Sequence, residues 1–286
     1  ATHIVVNRCA HRAGAVNRET AFALKHFGFA EPPLITTVTP QIKDTEVQKQ
    51  GGIDAETSLF EAWSVMRETK TDTLSITDGA DNLLGLIATK DIANANLDIF
   101  DIEILGSSQT KYANIVSTLN GQMILGDPEE RVTTGSLRVG TTPEMMEETV
   151  KAGDLVLVTN RYETQQFAVG SDASCIVVCC GAHVSNQVRE SAERHGCTII
   201  ATPYDTYAAA RLICMSIPVR AKMIPEKNTI KFSVNTSVDD AKKTIASSRH
   251  RFFPVIDGKA RVSDMMADSM RPAMSFGIST PASMRT

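Results

Sequence analysis

The 286-residue chain has no long apolar run: the longest, around Ala173 to Cys180, is under half of the ~20 residues a helix needs to cross a bilayer. Its N-terminus lacks a basic stretch followed by an apolar one, so no secretory leader is expected and the cytoplasm is the expected compartment. Neither sign of charge dominates. A formal net charge of -4 gives no overall electrostatic reason to expect nucleic acid. A cysteine framework is also missing, because Cys9, Cys197 and Cys214 are scattered and Cys175, Cys179 and Cys180 share one apolar run, Ser174-Cys-Ile-Val-Val-Cys-Cys-Gly181. That run reads as a buried strand with its thiols packed as small hydrophobes. Adjacent strand residues face opposite sides, so Cys179 and Cys180 cannot both turn toward one zinc ion, and no metal site is expected.

What the chain does have is an ordinary globular balance, 42% apolar and 22% charged, which excludes a disordered chain. Its length suits about two domains at roughly 150 residues each. The most informative feature is a self-match at a fixed offset of 179 residues. Thr57-Ser-Leu59 recurs as Thr236-Ser-Val238, Ala62 as Ala241, Met66 as Ile245, Leu74 as Phe253, Ile76 as Val255, and Asp78-Gly79 as Asp257-Gly258. Each copy predicts a Thr-Ser N-cap and then a helix, with Leu59, Ala62, Trp63 and Met66 or Val238, Ala241 and Ile245 as its apolar stripe. A strand follows, Thr73 to Thr77 or Phe252 to Ile256, closed by Asp-Gly. In the first copy a second strand, Leu83 to Ala88, completes a hairpin and leads into a helix from Lys90 to Leu97. One such unit is too small to close a core, so two copies are expected to pack together.

Residues 100 to 220 or so then form an insertion with its own alternation. Strands are expected at Gln122 to Leu125, Leu137 to Val139, Asp154 to Thr159, Cys175 to Cys180 and Cys197 to Thr202. Helices are expected near Pro143 to Lys151, Val184 to His195 and Asp205 to Met215. Strands alternating with helices imply a mostly parallel sheet with crossover helices, folded separately between the halves of the repeat.

The repeat resembles a pair of CBS modules, whose first copy ends in a strand running into Gly-x-x-Thr/Ser-x-x-Asp; here that stretch stands as Gly85-Leu-Ile-Ala-Thr-Lys-Asp91. The insertion resembles a DRTGG domain through Asn160-Arg161, Cys179-Cys180-Gly181 and Thr202-Pro-Tyr-Asp-Thr-Tyr207. The order CBS, DRTGG, CBS is similar to the regulatory insert of family II, manganese-dependent inorganic pyrophosphatases, where it interrupts the catalytic DHH domain. Arg12-Ala-Gly-Ala-Val-Asn-Arg-Glu-Thr20, with Phe22, Leu24, Phe27-Gly28 and Pro33-Leu-Ile35, resembles the stretch that joins that domain to the first module. The expected class is therefore α/β, a tandem CBS pair of βαββα-type repeats with an inserted, mostly parallel-sheet DRTGG domain. Its expected divisions are a junction remnant (1-35), module 1 (36-100), the DRTGG domain (101-220), an incomplete module 2 (221-262) and an atypical tail (263-286).

The resemblance implies AMP, ADP, ATP or diadenosine polyphosphates as regulatory ligands in the cleft between modules. A ribose wants a carboxylate for its hydroxyls, and phosphates want a hydroxyl, backbone N–H groups at a helix start, and a cation. Asp91 fits the first need. Ala88 stands where the motif has its hydroxyl residue, with Thr89 one position later serving as ligand or as plain N-cap. The basic segment Arg249-His250-Arg251 stands where the family commonly has Arg-Tyr-Arg, and Lys70 lies near the corresponding place of copy one. Asp205 and Thr206 read as a helix cap before a ligand.

No motif of the catalytic domain is present and the six histidines are dispersed singly, so two Mn²⁺ or Mg²⁺ ions have no ligand cluster here; metal belongs to the parent's catalytic domain. Beyond Gly258 the second copy leaves its pattern at Lys259-Ala-Arg-Val-Ser-Asp-Met-Met266, and a methionine-rich tail without clear period follows, in which Met265 to Met270 suits at most a turn or two of helix. A lost reading frame there would account for the missing catalytic half. The function expected is an adenine-nucleotide-binding region controlling a pyrophosphatase catalytic domain in cis or trans, forming a homodimer through its modules, away from nucleic acid and membrane. The alternatives are a fragment or damaged copy of the enzyme itself, or a stand-alone sensor acting in trans.

Overall fold

A computed structural model describes residues 12, 14–34, 39–45, 51–97, 103–248, 252–257 and 261–267. In chain order the first elements are α1 (Arg18–His26), β1 (Ile53–Asp54), α2 (Leu59–Thr69), β2 (Thr73–Thr77), β3 (Leu83–Ala88) and α3 (Thr89–Leu97). The middle contributes α4 (Ile104–Ser107), α5 (Tyr112–Thr118), β4 (Gln122–Leu125), β5 (Leu137–Val139), α6 (Pro143–Thr149), β6 (Leu155–Val158), α7 (Tyr162–Gly170), β7 (Cys175–Val178), α8 (Asn186–His195), β8 (Thr198–Ala201) and α9 (Thr206–Cys214). The last are β9 (Ile224–Pro225), β10 (Phe232–Ser233), α10 (Val238–Ser247), β11 (Phe252–Ile256) and β12 (Val262–Ala267). The chain divides into two compact units, Ala1–Glu46 with Val234–Ser248, and Val47–Ser233 with Arg249–Thr286.

In the larger unit the repeat is visible in the strand register. The order β1-β2-β3 corresponds to β10-β11-β12, and every pairing carries over with 179 added. Ile53 faces Ile76 in parallel as Phe232 faces Val255. Thr73 faces Ala88 as Phe252 faces Ala267, Leu74 faces Ile87 as Phe253 faces Met266, and the irregularity between Ile76 and Thr77 returns between Val255 and Ile256. The hairpin turns match as well. The Asp78 carboxylate accepts from the N–H groups of Ala80 and Asn82, and the Asp257 carboxylate accepts from the N–H of Arg261, so each aspartate closes its own turn. The left-handed residue of the first turn is Asp81 (φ 63°) rather than a glycine. The two hairpins meet: Leu83 and Leu86 pack with Phe252 and Val262, and the Val262 N–H donates to the Asp81 carbonyl at 3.0 Å.

This corrects the expected departure after Gly258. Val262–Ala267 is a strand in the same register as Leu83–Ala88, so the helical turn expected from Met265 onward does not occur as far as Ala267. Val262-Ser-Asp-Met-Met-Ala267 has no clean alternation, but the backbone edge of β11 supplies the hydrogen-bonding partners that fix its conformation. Residues 268–286 lie outside the described residues.

The insertion is a five-stranded sheet in the order β4-β8-β7-β6-β5, parallel except for β4. Period-two alternation splits its side chains between two layers. Leu155, Leu157, Cys175 and Val177 join one apolar cluster, while Val156, Val158, Ile176 and Val178 join another with Met146, Ala168, Val188 and Ala192 of α6, α7 and α8. The first cluster continues through Ile115, Ala209, Ile213 and Ile217 into Leu59, Ala62, Leu74, Ile76 and Ile92 of the first copy. The expected separately folded middle piece is thus corrected in one respect: it shares a continuous core with the first module. Four helices were not anticipated, α1, α4, α5 and α7, the last being the crossover between β6 and β7. The cysteine strand ends at Val178; Cys175, Cys179 and Cys197 are buried, but Cys180 is exposed in a left-handed turn (φ 62°) rather than packed in the core.

In the smaller unit, Asn17 caps α1 by accepting from the Thr20 N–H at 2.8 Å. Ser237 caps α10 by accepting from the Asp240 N–H at 3.1 Å, and α10 buries Ala241 and Ile245 as its stripe predicts.

Candidate functional site

The antiparallel pairing of Thr73 with Ala88 brings the start of β2 and the end of β3 to one edge of the first module. The Asp72 carbonyl accepts from the Thr89 N–H at 2.9 Å and from the Thr89 hydroxyl at 3.3 Å, tying the start of α3 to the α2–β2 turn. The Thr89 hydroxyl also lies 3.6 Å from the Met66 sulfur. Thr89 is the first residue of α3 rather than the N-cap before it, and the Ala88 N–H just ahead of the helix donates to Asp91 Oδ2 at 2.9 Å. Lys70 stands at the same edge as the left-handed C-cap of α2 (φ 54°), its side chain exposed. Lys70, Thr89 and Asp91 are therefore gathered by one strand-to-helix junction. Arg249, His250 and Arg251 lie outside the described residues; by the 179-residue offset they precede β11 as Lys70, Thr71 and Asp72 precede β2.

In the insertion, the turns after the parallel strands are shaped by backbone bonds: the Cys180 N–H donates to the Tyr204 carbonyl at 2.7 Å and the Gly181 N–H to the Thr202 carbonyl at 2.9 Å. Asp205 accepts from the Ala208 N–H at 2.8 Å, a cap as expected. Burial, foremost, pushes the Cys179 and Cys197 thiols up to about 12, which leaves them protonated and unreactive near neutral pH. Among the described residues no cluster of histidine, cysteine and carboxylate side chains is able to hold a metal ion. The two-metal chemistry of a pyrophosphatase therefore has no fit in the described part of this chain. Nor is any helix among the described residues long and apolar enough to cross a membrane.

Sequence reasoning missed how the segment before each copy serves the helix of the other. The N–H groups of Leu59 and Phe60, which open α2, donate to the carbonyls of Ile217 and Met215 at 3.0 and 2.9 Å, while Val219 and Arg220 donate back to Thr57 and Ala55 at 2.8 and 3.2 Å. Around α10 the same bonds recur. Val238 donates to Pro40, and Ile42 and Lys43 donate to Thr236 and Val234, at 2.9, 3.0 and 3.0 Å. The isolated bridges Ser58 with Pro218 and Gln41 with Ser237 follow the same exchange. These contacts satisfy helix N-termini that would otherwise lack acceptors. The available signal was the second self-match of Ile42-Lys43 with Val219-Arg220, offset by 177 rather than 179 residues.

The exchange also places a carboxylate between two arginines. Glu56 Oε1 accepts from Arg220 Nε at 2.7 Å and Oε2 from Arg131 Nη1 at 2.9 Å, and the Glu56 carbonyl accepts from Asn114 Nδ2 at 2.9 Å. Arg131 also donates to the Gln109 carbonyl at 2.9 Å, and Arg220 to the Ser108 carbonyl at 2.9 Å. Burial raises the Glu56 carboxyl, but the hydrogen bonds and charges of Arg220 and Arg131 together outweigh it and hold the group below the ordinary value of 4.5.

Twin helix–strand–strand repeats with mutually exchanged lead-in segments and a mostly parallel α/β domain between them in sequence define a tandem-module architecture. The comparisons agree. Residues 52–98 match the CBS domain and residues 114–216 the DRTGG domain. The chain superposes, with a TM-score of 0.74 and 30% identity over 79% of its length and 99% of the other, on the crystal structure of the CBS and DRTGG domains of the regulatory region of Clostridium perfringens pyrophosphatase, complexed with its activator diadenosine tetraphosphate. It is 32% identical over 252 residues to the cobalt-dependent inorganic pyrophosphatase of Clostridium perfringens and 23% identical over 252 residues to the probable manganese-dependent inorganic pyrophosphatase of Thermotoga maritima, covering 88% of this chain in both cases. The chain spans about half the length of these relatives, 46% and 45%. It belongs to the family of CBS–DRTGG regulatory regions of CBS-domain pyrophosphatases.

Proposed function

We propose that this chain senses adenine nucleotides and, through them, controls a pyrophosphatase catalytic domain in cis or trans, in the cytoplasm where such nucleotides are abundant. The observation that carries the reading is its likeness to a regulatory region complexed with diadenosine tetraphosphate, together with the convergence of Lys70, Thr89 and Asp91 on one module edge. In this reading Asp91 accepts from ribose hydroxyls, Thr89 and the start of α3 meet a phosphate, and Lys70, Arg249 and Arg251 neutralise the remaining phosphate charge. His250 supplies a smaller aromatic face for a base than a tyrosine would. AMP, ADP, ATP and diadenosine polyphosphates share the chemistry required. A ligand regulates only if it binds two arrangements of the modules with different affinity, so activators and inhibitors must contact these residues differently. Manganese or a related ion belongs to the catalytic domain of the parent enzyme. Half-exposed Phe60 and Trp63 on α2, at 37% and 38%, support a homodimer formed through module helices.

Isothermal calorimetry with AMP, ADP, ATP and diadenosine tetraphosphate tests the reading, with sedimentation of the same samples reporting the dimer. At least one nucleotide should bind, and Asp91→Ala should weaken it by ten-fold or more, on the order of the ~1.5–3 kcal/mol of a charge-assisted hydrogen bond. No heat with any of the four would sink the nucleotide assignment, and unchanged affinity in the variant would move the site away from α3. A monomer at all concentrations would remove the dimer alone.

A further inference from the structure

The reciprocal exchange of lead-in segments is nearly symmetric in its backbone bonds, but at one pair of positions the side-chain interaction differs in kind. By the two offsets Glu56 corresponds to Asn235 and Arg220 to Lys43. On the first copy this pair is a charged carboxylate and guanidinium at 2.7 Å, extended by Arg131 and Asn114 from the DRTGG domain. On the second it is an exposed hydrogen bond from Lys43 Nζ to the neutral amide oxygen of Asn235 at 3.2 Å. Two guanidiniums held on one carboxylate, both also donating to carbonyls of the linker at Ser108 and Gln109, repel each other as soon as that carboxylate loses its charge.

We propose that Glu56 is a positioning residue that latches the DRTGG domain to the first module, a role for which the corresponding Asn235 lacks the charge. The latch gathers four pieces of chain that are distant in sequence: the loop before α2, the linker before α5, the DRTGG loop at Arg131, and the segment returning to the second copy. It fixes the direction in which the two parts meet, which non-directional burial of their shared apolar core alone does not. A rearrangement at the first module is therefore carried to the inserted domain as one body, whatever ligand causes it.

The test needs no nucleotide, so it stands or falls separately from the nucleotide assignment. Hydrogen exchange is followed on the full chain at the four amides that join the parts: Leu59, Phe60, Val219 and Arg220. Glu56→Gln should speed exchange there about ten-fold while leaving the β6–β8 core amides unchanged, because only the local opening loses its charge-assisted bonds. Arg131→Met, which keeps the Arg220 bond, should speed it about three-fold. The mirror substitution Asn235→Asp should instead slow exchange at Ile42, Lys43 and Val238. Unchanged exchange at the four amides in Glu56→Gln, or an equal acceleration throughout the β6–β8 core, overturns the proposal. If that variant does not fold, the native chain decides: raising salt to about 1 M should accelerate the four amides more than Ile42, Lys43 and Val238. An equal response at both sets overturns the latch.

Discussion

The two copies of the repeat share their strand register, their caps and their turn aspartates, yet the described core that reaches the DRTGG sheet is built on the first copy. Leu59 opens α2 fully buried in the cluster that reaches the DRTGG sheet, whereas its counterpart Val238 opens α10 only partly buried. Gly85 of β3 lies so close to β9 that a Cβ there would sit 2.4 Å from the Ile224 carbonyl oxygen, and its counterpart in β12 is Asp264. The comparison teaches that a repeat preserves what the backbone needs, while each copy's side chains answer to different neighbours.

The strongest way to break this contrast is to truncate the paired helix-opening residues. Leu59→Ala should cost about 3 kcal/mol, since it empties a fully buried site, and Val238→Ala about 1 kcal/mol, measured by urea unfolding. Equal losses would deny that the first copy's helix opening is the more deeply buried of the two.

Acid sharpens the electrostatic half of the contrast. The folded Glu56 carboxyl is held below its unfolded value near 4.5, so its contribution is fully present above that pH and is lost as the pH falls through the lower folded value. The groups facing it are Arg131, Arg220 and Asp54, whose Oδ1 accepts from the Glu56 N–H at 2.7 Å. Stability of the native chain between pH 6 and 3 should therefore fall more steeply than that of Glu56→Gln, with the two curves converging at the acid end. Parallel curves would remove the ion pair as a source of the difference. The effect is modest, because both partners are about one-third exposed and solvent screens them.

The smallest expected effect is one of sameness. Ser58 and Ser237 each accept from the N–H three residues on at 3.1 Å, so alanine at either should cost about 1 kcal/mol by thermal unfolding. A loss at only one of them would mean that the shared N-cap is a matter of sequence and not of energy.

Much of the fold was legible before any coordinates. The spans Thr73 to Thr77, Leu83 to Ala88 and Phe252 to Ile256 coincide with β2, β3 and β11, and Gln122 to Leu125 and Leu137 to Val139 with β4 and β5. These runs are apolar or β-branched and bounded by turn residues, so local chemistry suffices. β12 was missed because Ser263, Asp264, Met265 and Met266 carry no pattern of their own. Helix α7 was missed because Gln165 and Gln166 interrupt its apolar face; Gln165 is nevertheless buried, donating to the carbonyls of Thr159 and His183. Of the candidate site, Thr89 and Asp91 were named from the motif and Lys70 from its correspondence with the basic segment of copy two, but the inward turn of the Thr89 hydroxyl toward Asp72 depends on a strand pairing that residue types do not reveal.

By itself the amino-acid order determined that this protein has two related halves, where their strands and capped helices lie, and that an alternating α/β segment separates them, because periodicity, caps and turn aspartates act over a few neighbouring residues. Only the tertiary structure decided that each half's lead-in segment serves the other's helix, that the middle domain shares a core with the first half, and that Glu56 holds Arg131 and Arg220. Those partners lie 75 and 164 residues from the carboxylate, and no short-range preference encodes which distant hydrogen-bond donors a folded backbone will bring within reach.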